Sequence, residues 1–152
     1  MDPRLPHTPP VARRVRYALL LVALPLAMLS SAQASSWSKV RAPAPGPAKV
    51  IGSTSNGCVG GAEPLPAQGT GYVSIRRHRN RYYGHPELLS LIEDLGATLG
   101  GRSGELIMVG DLSQPRGGLM SSSHRSHQNG LDVDIWFRLA SSAGDADREH
   151  PE

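Results

Sequence analysis

The chain has 152 residues, with 16 Lys plus Arg against 13 Asp plus Glu and a single Cys. That length fits one domain, and 17 Gly with 13 Pro point to short elements joined by loops. This punctuation excludes coiled coils, collagen-like repeats and long bundles, and one Cys excludes a self-contained disulfide scaffold or a Cys-only zinc finger.

The net charge of +3 is local. Residues 1–34 carry Arg4, Arg13, Arg14 and Arg16 against Asp2, and the rest of the chain is balanced. A whole-chain basicity is therefore no argument for nucleic acid, and none is expected as a partner. Arg13, Arg14 and Arg16 precede an apolar run from Tyr17 to Leu29, then Ala32-Gln33-Ala34. A basic stretch, a short apolar core and an Ala-x-Ala site describe a secretory signal peptide over 1–34, cleaved after Ala34. The run is too short to span a bilayer, which takes about 20 residues. The expected location is the periplasm, with no stable membrane span after cleavage.

From 35 to 70 the chain is rich in Pro, Gly and Ser and reads as an extended arm, with Val50-Ile51 as a short edge strand. Tyr72 to Ile75 alternates like a strand. Arg76, Arg77, Arg79 and Arg81, with His78 among them, make the one dense basic patch. Charge runs of this kind are usually a solvated face, so the patch reads as surface, with weak steering of an anionic substrate as the functional alternative.

A helix is expected from Pro86 to Leu99. Pro suits the first turn, Leu88, Leu89, Ile92, Leu95 and Leu99 share one face, and Gly100-Gly101 supply the stop. Glu105 to Val109 reads as a buried strand, 111–123 as a loop, and Gly130 to Phe137 as a strand with Asp132, Asp134 and Trp136 on one face. Beyond Leu139 the small polar residues suggest fraying.

The chemistry-bearing stretch is Ser123-His124-Arg125-Ser126-His127-Gln128-Asn129-Gly130-Leu131-Asp132-Val133-Asp134. Gly130 permits a tight turn that brings His127 back toward Asp134. Catalytic zinc commonly takes three protein ligands, His nitrogens and a carboxylate among them. His127 and Asp134 suit two of these places, His124 is a further ligand or an orienting residue, and Asp132 is a hydrogen-bonding support. The bland alternative is that these residues are only turn formers. A serine hydrolase is less favoured, because no Gly-x-Ser-x-Gly elbow accompanies Ser121, Ser122, Ser123 and Ser126.

The run His124 to Trp136 resembles the signature of the penicillin-insensitive murein endopeptidases, zinc peptidases of the lysostaphin and D-Ala-D-Ala peptidase group. Ser55-Asn56-Gly57-Cys58, Arg81-Tyr82-Tyr83-Gly84-His85-Pro86, Gly110-Asp111 and Gly117-Gly118 carry the resemblance further. It implies an α+β fold, a small antiparallel sheet with one or two helices and long loops, formed by 35–152 as the N-terminal part of such a domain. It also implies a periplasmic endopeptidase that hydrolyses D-Ala–meso-diaminopimelate cross-links with zinc-activated water.

On that resemblance Zn2+ is the cofactor, His124, His127 and Asp134 are the metal residues, and Asp132 stands behind them. A catalytic His and the disulfide partner of Cys58 are expected in a C-terminal part beyond this chain, so that this polypeptide alone should be impaired. The implied partners are peptidoglycan cross-link peptides, with a homodimer as a further option. The competing reading is an exported pseudoenzyme that binds peptidoglycan without cutting it.

Overall fold

A computed structural model describes residues 36–121 and 124–149; the proposed signal peptide lies outside the described residues. In chain order come β1 (Lys49–Ser53), β2 (Asn56–Gly60), β3 (Glu63–Pro64), β4 (Gln68–Gly69), β5 (Tyr72–Ser74), a 3-10 turn (Arg77–Arg79), β6 (Tyr83–Gly84), α1 (Pro86–Ser103), β7 (Leu106–Val109), β8 (Ile135–Ala140) and α2 (Ala143–Glu149). The fold is α+β, as expected. The central sheet has the order β4-β5-β7-β8. Its outer pairs are antiparallel, but β5 and β7 run parallel because α1 carries the chain between them.

Both faces of this sheet are covered. Tyr72, Ile107 and Val109 point to one side and pack with Leu65, Leu88, Leu89, Ile92 and Leu112. Val73, Ile75 and Met108 point to the other and meet Ala140 and Ala146. This is the period-2 alternation of strands buried between two layers. Each large apolar side chain so buried contributes about 1.5–3 kcal/mol.

The arm expected over 35–70 is more structured than its composition suggested. β1 and β2 form an antiparallel hairpin, and β3 pairs with β6. In α1 the helix does not stop at Gly100; it continues to Ser103, with Gly104 in the left-handed conformation as its cap. Gly100 is there for packing: an added Cβ would stand 2.5 Å from the Gly71 Cα and 2.7 Å from the Glu105 carbonyl oxygen. The apolar stripe also ends early, since Leu99 is exposed.

The last expected strand begins later than the alternation implied, at Ile135, and residues 131–134 form its approach. Beyond Leu139 the chain continues as α2, where the Ser142 hydroxyl accepts from the Asp145 N–H at the first turn. Among the described residues no helix is long and apolar enough to cross a membrane.

Candidate functional site

The approach to β8 is tied to the end of β7 by two backbone bonds, Gly110 N–H to the Asp134 carbonyl (2.8 Å) and Asp134 N–H to the Asp111 carbonyl (3.0 Å). They bring the side chains of Asp111 and Asp134 to one place, although 23 positions separate them in the sequence. The loop ahead of it is anchored through Gln128. Its N–H donates to the Thr54 carbonyl and its side-chain amide to the carbonyls of Ser55 and Arg125. Gly117 must be glycine beside it, because a Cβ would overlap the Gln128 carbonyl oxygen.

His127 is held in a conformation that side chains rarely adopt, with φ of 62°. Such backbone costs about 1–3 kcal/mol and persists where the surroundings enforce it. Here Asp132 does so: its Oδ2 accepts the His127 N–H at 3.0 Å. Gly130, with φ of 78°, closes the turn behind, and the Asn129 side chain accepts from the Leu131 N–H. The result is an imidazole 1% exposed.

Two carboxylates flank that ring. His127 Nδ1 lies 3.2 Å from Asp132 Oδ2, and Nε2 lies 3.3 Å from Asp134 Oδ1. Neither nitrogen is aligned for a hydrogen bond with these carboxylates, and among the described residues neither has a hydrogen-bond partner. The groups are close without facing each other. A buried imidazole in that state needs an explanation, since buried polar atoms are nearly always paired.

A shared cation supplies one. Two ligands about 2.0–2.1 Å from a tetrahedral ion stand about 3.3 Å apart, which matches the Nε2–Oδ1 separation. His124 completes the group. Its Nδ1 is 3.9 Å from Asp134 Oδ2, its ring meets that of His127 edge-on at 5.2 Å, and one ligand atom each from His124, His127 and Asp134 lie within 4.8 Å of one another. Two nitrogens and an oxygen are the donor set of a zinc site. The residues present therefore fit a divalent ion.

Behind His124 sits a residue to which the sequence alone gives no role, Asp111. It is 3% exposed and its Oδ2 lies 3.5 Å from His124 Nε2. The same oxygen receives Arg79 Nη1 and Arg81 Nη1, each at 3.0 Å. Burial pushes the Arg79 guanidinium below its usual range, and the Asp111 carboxylate offsets part of that push. Each imidazole thus has one carboxylate beside it in the cluster and another behind it: Asp132 for His127, Asp111 for His124. Carboxylates in such places orient metal-binding imidazoles and raise their basicity.

The basic patch is corrected by the same contacts. Arg81 is 6% exposed and paired, not solvated. Arg77 lies over the Tyr82 ring at 3.8 Å and donates to the Leu65 carbonyl and the Ser74 hydroxyl. In the sequence, Gly110-Asp111 carries only part of the family resemblance, with no link to this arginine run. Cys58 is half-buried on β2 and is a free thiol among the described residues.

Residues 50–152 match the family model for penicillin-insensitive murein endopeptidases. The chain is 43% identical over 122 residues to the penicillin-insensitive murein endopeptidase of Escherichia coli O17:K52:H18 strain UMN026, covering 80% of this chain and 44% of the relative. It is likewise 43% identical over 134 residues to the protein of that name from Haemophilus influenzae strain Rd, covering 86% of this chain and 43% of that one. The protein of that name from Shigella boydii serotype 18 matches at 43% over 122 residues, with 80% and 44% covered. The chain therefore spans less than half the length of these curated relatives.

Proposed function

We propose, from the premise that this chain belongs to the penicillin-insensitive murein endopeptidase family, that it carries the metal-holding part of a peptidoglycan endopeptidase. In this reading His124, His127 and Asp134 hold a zinc ion. Residues 1–34 are a cleaved export signal, residues 35–152 are the N-terminal part of the catalytic domain, and the protein works in the periplasm. The substrate is the peptide cross-link between D-Ala and meso-diaminopimelate.

The observation that carries the reading is the buried His127 imidazole, 3.3 Å from Asp134 yet, among the described residues, hydrogen-bonded at neither nitrogen. A bound divalent ion supplies Lewis-acid polarisation of the scissile carbonyl and brings the pKa of a water toward about 7. The chain's own residues do the positioning. Asp132 fixes the left-handed backbone at His127 and stands against its Nδ1. Asp111, pinned by two arginines, stands against Nε2 of His124 and leaves Nδ1 turned toward Asp134.

The test is hydrolysis of purified cross-linked muropeptide dimers by the zinc-loaded protein and by its His127→Ala variant. At most slow release of monomers by the parent, impaired as expected of the metal-holding part alone, and none by the variant are expected; equal turnover would overturn the assignment. Retention of dimer without cutting would favour the peptidoglycan-binding pseudoenzyme.

A further inference from the structure

A cleft of about 470 Å³ opens beside the histidine cluster and shares two of its residues. Gly110, Asp111, Asp134, Arg76, Trp136 and Phe137 are among the residues that line it. Three observations about Arg76 stand out. Its backbone is left-handed, with φ of 56°, a conformation with a steric cost for any residue but glycine. Its guanidinium carbon lies 4.8 Å from the centre of the Trp136 ring. And among the described residues no carboxylate stands within ion-pair distance of it, whereas Arg79 and Arg81 share Asp111. The patch thus holds more guanidinium charge than its buried carboxylate balances.

Trp136 is kept in place by an absence. An added Cβ at Gly110 would stand 3.1 Å from the indole Nε1, so glycine lets the indole lie against the strand end and keeps the cleft open. The indole then holds the guanidinium plane by a cation–π contact. A guanidinium fixed in orientation, partly shielded from water and with no carboxylate at ion-pair distance among the described residues presents a two-pronged donor suited to a carboxylate.

We infer that Arg76, braced on Trp136, reads a free carboxylate of the peptide substrate lying in the cleft beside the bond to be cut. This rests on the endopeptidase reading for the identity of the peptide and adds to it a specificity residue. The ligand class is an α-carboxylate within a cross-linked peptide, and the matching carboxamide is the form the site should disfavour.

The experiment measures calorimetric binding of two synthetic cross-linked peptides to the zinc-loaded protein. One has a free carboxylate on the diamino acid and the other a carboxamide at that position. Hydrolysis is followed separately in the same samples. The parent should prefer the carboxylate by about tenfold or more, the scale of a charge-assisted pair. Arg76→Gln should bring the ratio near one with carboxamide binding unchanged, and Arg76→Lys should keep a reduced preference. Far-UV circular dichroism identifies any variant that fails to fold, and Arg76→Lys then decides by whether the preference falls.

Preference intact in Arg76→Gln, or no binding of either peptide, overturns the inference. Hydrolysis decides the previous proposal independently: a carboxylate preference that depends on Arg76 without any cutting sustains the subsite and favours the peptidoglycan-binding pseudoenzyme. Cutting without that preference does the reverse.

Discussion

Replacing Asp111 by Asn removes one negative charge from a point where two guanidiniums and an imidazole converge. The side chain is 3% exposed, and its partner Arg81 is 6% exposed. Breaking a buried pair by deleting one partner costs about 3–5 kcal/mol, because the remaining charge stays desolvated. Arg79 is 20% exposed and contributes less, since water screens it. Asn keeps the shape and can still accept one hydrogen bond. Together these place Asp111→Asn at about 2–4 kcal/mol of destabilisation, a large share of the 5–15 kcal/mol typical of a domain.

The assay is urea unfolding of the parent, Asp111→Asn, Arg81→Met and the double variant. If the cost is the loss of the buried Asp111–Arg81 pair, the double variant should lose about 1 kcal/mol or more less than the sum of the singles. Additive losses, or an Asp111→Asn effect below about 0.5 kcal/mol, would refute the reasoning.

Asp132→Ala should lower zinc affinity about 10–100-fold, the usual scale for a residue that orients a ligand imidazole; competition against a chromophoric chelator measures it. Gly100→Ala should destabilise despite alanine's better helix propensity of about 1 kcal/mol. The added methyl meets backbone at 2.5 and 2.7 Å, and such overpacking costs about 1–3 kcal/mol, so thermal unfolding should show a lowered midpoint.

Tyr83 is pushed up to about 12, by burial first and then by Tyr82, whose ring stacks on it at 4.7 Å. The unfolded phenol ionises near 10. Stability from this group is therefore complete below pH 10 and is lost as pH rises toward 12. Ultraviolet titration should show a late tyrosinate step that Tyr83→Phe removes.

The cluster was legible in the sequence because its ligands are local. His124, His127 and Asp134 fall within 11 residues, and Gly130 marks the turn that joins them. What composition could not show is that Arg79 and Arg81 point inward: their shared partner is 30 or more positions away, and strand pairing sets that proximity. A run of arginines looks the same on a surface as around a buried carboxylate.

Gly100 misled for a related reason. It carries the usual mark of a helix end, but its lack of a side chain is used against Gly71. The parallel β5–β7 pair follows from α1 acting as a crossover, which local alternation does not encode. The second helix did have a local sign, Ser142-Ala143-Gly144-Asp145, in which serine caps the first turn and the Asp145 carboxylate accepts from Ser141. It was obscured by the smallness of the residues around it.

The central claim is that one cation is shared by an imidazole and a carboxylate from the turn before β8. Its direct measurement is zinc stoichiometry and affinity, by metal analysis after dialysis and by calorimetry, for the parent and for His127→Gln and Asp134→Asn. The account predicts about one zinc per parent chain and a loss of affinity of about 100-fold or more in each variant, with the far-UV spectrum retained. Undiminished zinc binding in both folded variants would contradict it.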